Sequence, residues 1–319
     1  MDNLRTSEPQ NFLTSQPKNL LTSQPKNPMR QNIFKGLGVA VVTPFMEDGS
    51  VDFDALARLI DNQLAGGIDF FCVLGTTAET PTLDTEERRA ITQFFINRVA
   101  GRVPLLLGAG GNDTRKVIDG LKDIPEGIDG LLIVAPYYNK PSQEGLYQHY
   151  KAVAAATELP IVVYNVPGRT GVNITAETTL RIARDCPNVI ATKEASGNIG
   201  QIEEIIVGAP EGFEVLSGDD GIAYELMSAG ATGAITVIGN SHPREFADMI
   251  HAIQAGDMLK AQAIHHSFND YYKLLFVDGN PSGVKCALAL QGVIKNELRL
   301  PLVPARKETE AKIAAFLKK

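Results

Sequence analysis

The sequence predicts an α/β fold of the (β/α)8 type, a TIM barrel followed by a small C-terminal helical domain. Three observations predict it. Short β-rich apolar runs alternate eight times with longer amphipathic stretches over about 220 residues, the repeat count that an eight-stranded parallel barrel requires. A doubly wound sheet usually has fewer strands, and the glycine-rich turn it places after the first strand is missing. The remaining residues, from 255 to 319, read as further helices.

In chain order, LGVAVVTPF (37–45) precedes DFDALARLIDNQLAGG, FFCVLG (70–75) precedes TEERRAITQFFINRVAG, and VPLLLGAG (103–110) precedes DTRKVIDGLKD. GLLIVAPYY (130–138) then leads into QEGLYQHYKAVAAAT, PIVVYNVP (160–167) into TAETTLRIARD, and NVIATKEA (188–195) into NIGQIEEIIVGA. FEVLSG (213–218) with DGIAYELMSAG and GAITVIGN (233–240) with PREFADMIHAIQAG complete the eight. Each first member is a near-continuous apolar run, which suits a strand buried on both faces. Each second member has the mixed composition of a helix with one wet face. The segment before these units differs in kind. LTSQPKN occurs at 13–19 and again at 21–27 among Ser, Thr, Gln, Asn and Pro, so residues 1–32 are expected to be a disordered tail. Met29, just past the repeat, is an alternative start for the native protein. The expected division is 1–32 tail, 33–255 barrel and 256–319 helical domain.

Composition narrows the function. The 319 residues are 44% hydrophobic and 21% charged, as in a water-soluble globular protein, and 30 basic against 37 acidic side chains give a net charge of -7. No basic run is interleaved with aromatics, so no nucleic-acid partner is expected, and small molecules are. No apolar stretch approaches the roughly 20 residues of a membrane span, and no secretion signal opens the chain; a cytoplasmic protein without membrane contact is expected. Cys72, Cys186 and Cys286 are widely spaced in apolar surroundings and read as reduced structural thiols.

Barrel chemistry sits at the C-terminal strand ends. Here those ends read GTTAE (75–79), APYYN (135–139), YNVPGRT (164–170), TKEASGN (192–198) and SGDDG (217–221). Lys193 is the residue that most needs a reason, because burying an ammonium costs several kcal/mol unless it is paired or neutral. A neutral amine there can attack a ketone and form an imine whose nitrogen acts as an electron sink. Alternatively Lys193 pairs with Glu194 or another acid and merely closes the barrel; position alone leaves both readings open. Gly75–Thr77 offers consecutive N–H groups and two hydroxyls as a carboxylate cradle, or simply a capped turn. Tyr164 offers a phenol for proton transfer, or a core ring with its hydroxyl at the rim. Arg169 offers a bidentate fork for a carboxylate, or a solvated cation.

GTTAET, PYYNKPSQEGLYQHY, YNVPGRTG, ATKEASGN and SGDDG, in this order and register, resemble the pyruvate-dependent Schiff-base aldolases, the family of dihydrodipicolinate synthase and N-acetylneuraminate lyase. The likeness runs from about residue 33 nearly to the C-terminus. It implies condensation of pyruvate with L-aspartate 4-semialdehyde to give 4-hydroxy-tetrahydrodipicolinate for diaminopimelate and lysine synthesis, with no metal or organic cofactor. It implies a Schiff base on Lys193 and pyruvate carboxylate binding by Thr76 and Thr77, with the backbone around Gly218 and Ile235. It further implies a proton relay of Tyr164, Thr77 and Tyr138, a carboxylate fork at Arg169, and a homotetramer in which Tyr138 reaches into the neighbour's site. Two departures stand out. Ala78 replaces the glycine usual in GTTGE, adding a methyl beside the cradle. Lysine feedback in regulated relatives uses the first tyrosine of the pair with nearby acidic, histidine and asparagine groups. Tyr137 and Asn112 remain here, but Lys116 replaces a glutamate, while Thr85 and Arg88 replace histidines. Two cations oppose a cationic effector, so weak or absent inhibition is expected.

Other readings have definite signatures. A metal-dependent aldolase needs clustered histidines, whereas His149, His242, His251, His265 and His266 are scattered. A noncatalytic binding barrel needs no lysine, tyrosine, threonine and arginine at one mouth. The nearer rival is a sister activity, neuraminate lyase or a 2-keto-3-deoxy sugar acid aldolase, whose substrates call for more hydroxyl-binding groups than Arg169 and YYNKPS supply.

Overall fold

The computed structural model describes residues 33–318. The expected tail at 1–32 and the alternative start at Met29 lie outside the described residues.

Eight strands form a closed, all-parallel barrel in sequence order: Gly36–Ala40 (β1), Phe70–Val73 (β2), Leu105–Gly108 (β3), Gly130–Val134 (β4), Ile161–Asn165 (β5), Val189–Glu194 (β6), Glu214–Ser217 (β7) and Gly233–Thr236 (β8). The pairing of β8 with β1, Gly36 opposite Gly233, closes the ring. Each strand is shorter than the apolar run that predicts it and lies inside it, except that β1 begins one residue earlier at Gly36, because the runs continue beyond the ladder into the turns that form the mouth. The connecting helices are Phe53–Gly66 (α1), Thr85–Val99 (α2), Thr114–Leu121 (α3), Gln143–Ala154 (α4), the single turn Pro167–Thr170 (α5), Ala176–Asp185 (α6), Ile199–Gly208 (α7), Ala223–Ser228 (α8) and Pro243–Gln254 (α9). Asp and Ser side chains start several of them: Asp84 and Glu87 form a reciprocal capping box on α2, and Ser142 accepts from Gly145 N on α4. Four more helices follow, Met258–Ser267 (α10), Asn269–Phe276 (α11), Ser282–Leu290 (α12) and Lys307–Phe316 (α13). None of the helices among the described residues is long and apolar enough to cross a membrane.

Two apolar layers follow from strand alternation. The barrel interior is filled by Phe70, Cys72, Leu106, Leu132, Val162 and Leu216 together with Phe34 at the base. The larger layer, between sheet and helices, takes the intervening residues, such as Phe71, Leu105, Leu131 and Val163. Gly38 is required where Phe70 fills the interior, since a Cβ there would strike its ring. The three cysteines are buried thiols.

Candidate active site

One strand irregularity decides which way Lys193 points. On β5, Ile161 and Val163 face the helices while Val162 and Tyr164 face the interior. On β6, Val189 faces the helices, but Ile190 and Ala191 both face the interior, and the ladder register shifts at this point. The extra residue is a β-bulge, and it reverses the phase of everything after it. Lys193 therefore comes into register with Tyr164, and Glu194 with Asn165. Lys193 is 6% exposed, with Nζ 4.3 Å from the centroid of the Tyr164 ring. Glu194 points the other way: its carboxylate accepts from Asn165 Nδ2 at 2.9 Å and Ser196 Oγ at 2.8 Å. Burial pushes the Glu194 carboxyl up, partly offset by those bonds. Pairing of Lys193 with Glu194 is thus ruled out by geometry. None of the ion pairs found among the described residues includes Lys193.

Lys193 opens into a cavity of about 830 Å³ that Thr76, Tyr164, Arg169, Gly218 and Ile235 also line. Gly218, just past β7, makes room for the lysine stem: a Cβ would lie 3.0 Å from Lys193 Cε and 2.8 Å from Ala195 Cβ. Its N–H donates to Glu194 O at 2.7 Å, which ties the ends of β6 and β7 together. Arg169 sits exposed on α5, with no carboxylate partner among the described residues.

The GTTAET segment folds as two 3-10 turns, Thr76–Ala78 and Thr80–Thr82, joined at Glu79 in the left-handed region with φ 55°. Thr80 Oγ1 donates to the Leu74 and Gly75 carbonyls at 2.9 Å, and Thr43 Oγ1 to Ala78 O at 2.8 Å. Ala78 keeps a negative φ, so its methyl brings no backbone strain; the left-handed residue is Glu79. Thr76 faces the cavity, whereas Thr77 is 3% exposed and its Oγ1 accepts from Asn280 Nδ2 at 2.9 Å. Tyr138 stands apart from the chain's own mouth. It is 87% exposed and held at φ 79°, a conformation that an aromatic residue rarely adopts.

The sequence profile of the Dihydrodipicolinate synthetase family matches residues 33–319. The chain belongs to this family. A 4-hydroxy-tetrahydrodipicolinate synthase of Phocaeicola vulgatus is 59% identical over 290 residues, 91% of this chain and 98% of that one. The crystal structure of dihydrodipicolinate synthase from Thermotoga maritima superposes with a TM-score of 0.88 at 43% identity, covering 90% of this chain and 98% of that one. The chloride-inhibited dihydrodipicolinate synthase from Acinetobacter baumannii, complexed with pyruvate, superposes with a TM-score of 0.86 at 39% identity and the same coverage.

Three features of this dihydrodipicolinate synthetase family member have no forerunner in the sequence reading. Asn280, between α11 and α12, reaches the mouth and touches Thr77. Glu79 is wholly buried in an ion pair with Lys285 of α12 at 2.5 Å and also accepts from Arg299 N at 3.0 Å. Lys285 Nζ donates in turn to Glu297 O at 2.8 Å, and burial pulls it down to about 8 against the attraction of Glu79. Asp220, present in SGDDG but without an assigned role, is 1% exposed and accepts from Val237 N and Ile238 N at 3.0 and 2.7 Å. Burial pushes its carboxyl up to about 7. A second cavity of about 680 Å³ brings together Thr85, Arg88, Asn112, Lys116 and Tyr137, the residues that the resemblance connects with feedback. There Asn112 Nδ2 donates to Tyr137 O at 3.3 Å.

Proposed function

We propose that this chain condenses pyruvate with L-aspartate 4-semialdehyde through a Schiff base on Lys193, giving 4-hydroxy-tetrahydrodipicolinate for diaminopimelate and lysine synthesis. The observation that carries the reading is Lys193 itself: a lysine turned into the barrel by a bulge, against Tyr164, without a carboxylate partner among the described residues. Its neutral amine attacks C2 of pyruvate and water leaves, forming the imine. Loss of a C3 proton gives the enamine, with the electron pair drawn toward the imine nitrogen. The enamine carbon attacks the aldehyde, and the aldehyde oxygen takes up a proton to become the hydroxyl. The amine of the second substrate then adds to the imine carbon and expels Lys193, closing the heterocycle.

In this reading Tyr164 and Thr77 pass protons at the imine, together with Tyr138 supplied by a neighbouring subunit. Tyr138's outward position in its own chain favours that donation. Thr76, Thr77 and the backbone around Gly218 and Ile235 hold the pyruvate carboxylate, and Arg169 holds that of the second substrate by a paired fork. The assembly is a cytoplasmic homotetramer, a dimer of dimers, with residues 33–255 as catalytic barrel and 256–319 as helical domain.

The test couples turnover to the next reductase, so that NADPH consumption reports product, and runs borohydride trapping of pyruvate beside it. Turnover and trapping that both vanish in Lys193→Ala are expected. Trapping without turnover would transfer the chemistry to a sister aldehyde, as for neuraminate or keto-deoxy sugar acids. Pyruvate binding without trapping would reduce the barrel to a binding protein.

A further inference from the structure

The C-terminal helices reach the chemistry at one side chain. Asn280 lies 203 residues from Thr77 in sequence, is 7% exposed, and lines the cavity into which Lys193 opens. Its Nδ2 stands 2.9 Å from Thr77 Oγ1. The bond is directional. An amide nitrogen only donates, so the threonine oxygen accepts from Asn280, and the single hydroxyl proton of Thr77 must be given elsewhere. Thr77 makes no other side-chain hydrogen bond among the described residues, so its proton is committed to none of their side chains. The Oδ1 of Asn280 is buried without a partner among the described residues, a cost that a purely structural amide would be expected to avoid. The threonine segment is also tied to the helical region by the buried Glu79–Lys285 pair, two residues along from Thr77.

We propose that Asn280 is a positioning residue that fixes Thr77 as a hydrogen-bond donor toward the bound substrate. The assignment rests on the reading of Thr77 as part of a Schiff-base site. It makes the helical region a working part of the barrel mouth, because one of its amides sets the direction in which the threonine hydroxyl offers its hydrogen bond.

Asn280→Asp keeps the shape and reverses the polarity: a carboxylate accepts only, so it captures the Thr77 proton. Asn280→Ala removes the contact and leaves the hydroxyl free to turn. Both variants are to be compared with the full-length protein at saturating pyruvate, so that a change in pyruvate KM is not read as a change in kcat. Asn280→Asp is expected to lose at least tenfold in kcat and Asn280→Ala clearly less. The Asp variant should recover part of its loss as pH falls and the new carboxyl is protonated into a donor. Equal losses in the two variants with unchanged pH profiles would mean a merely structural amide and overturn the assignment, as would an Asp variant within twofold of the parent. Borohydride trapping of pyruvate by the parent separates the two levels. If the parent traps and the variants behave as just described for a structural amide, only the Asn280 assignment falls; if the parent does not trap, the Schiff-base reading falls and takes the assignment with it.

Discussion

Replacing Lys285 by methionine tests whether the helical region holds the threonine segment in place. Lys285 and Glu79 are both completely buried and 2.5 Å apart. Removing the cation leaves the Glu79 carboxylate with the Arg299 N–H as its remaining hydrogen bond among the described residues, while methionine keeps most of the lysine's volume, so the loss is electrostatic rather than a cavity. Stranding one member of a buried pair typically costs 3–5 kcal/mol, roughly, and exchanging both members for neutral groups of similar size is often near neutral. For a chain of this length the unfolding entropy is about 0.6 kcal/mol/K, so Lys285→Met should melt about 5–8 °C below the parent. The double variant Lys285→Met/Glu79→Gln should regain most of that difference. Melting is followed by circular dichroism at equal protein concentration and at two scan rates, so that irreversible unfolding is recognised. A single variant within about 2 °C of the parent, or a double variant no more stable than the single, would refute the reasoning.

Three other outcomes are expected. Asp220 is held at about 7 by burial, above its ordinary 3.8, so between these values the native chain keeps a proton that the unfolded chain has released. Its contribution to stability is full below pH 4 and is lost as pH rises to 7. The stability difference between the parent and Asp220→Asn, measured by urea titration, should therefore shrink by a few kcal/mol over that range; parallel pH curves would contradict the assignment. Lysine should inhibit weakly or not at all, because Arg88 and Lys116 line the second cavity, and half-inhibition at submillimolar lysine would show otherwise. Mixing inactive Tyr138→Phe with inactive Lys193→Ala under subunit exchange should restore part of the turnover, and verified exchange without restoration would sink the shared-site arrangement.

The fold is legible because eight apolar runs bury both faces and therefore contrast sharply with the half-wet helices. The ends of those runs are less so: residues 41–45 stay buried beyond β1 and are apolar apart from Thr43, because the turn at the mouth is itself packed. The phase of β6 could not be read from VIATKE, where Ile190 and Ala191 are both apolar and nothing marks the extra residue, so whether Lys193 enters the barrel or pairs with an acid fell to the structure. Asn280 and Lys285 escaped because their partners lie about two hundred residues away, and in sequence a buried Glu–Lys pair looks like any solvated one. The methyl of Ala78 proved conformationally neutral because the strained angle falls one residue later.

Lys193 and Tyr164 face each other across a single strand-to-strand spacing, whereas Arg169 and Asn280 are carried on segments outside the ladder. On the proposed reading the reacting pair is therefore built into a frame whose dimensions are those of any parallel sheet, while Arg169, which would hold the second substrate, sits on a part that can be rewritten. A library confined to 167–171 and 269–279 should yield members that still capture pyruvate yet differ in the aldehyde they accept. The barrel would then serve as a constant pyruvate-activating core whose acceptor is exchanged like a fitting.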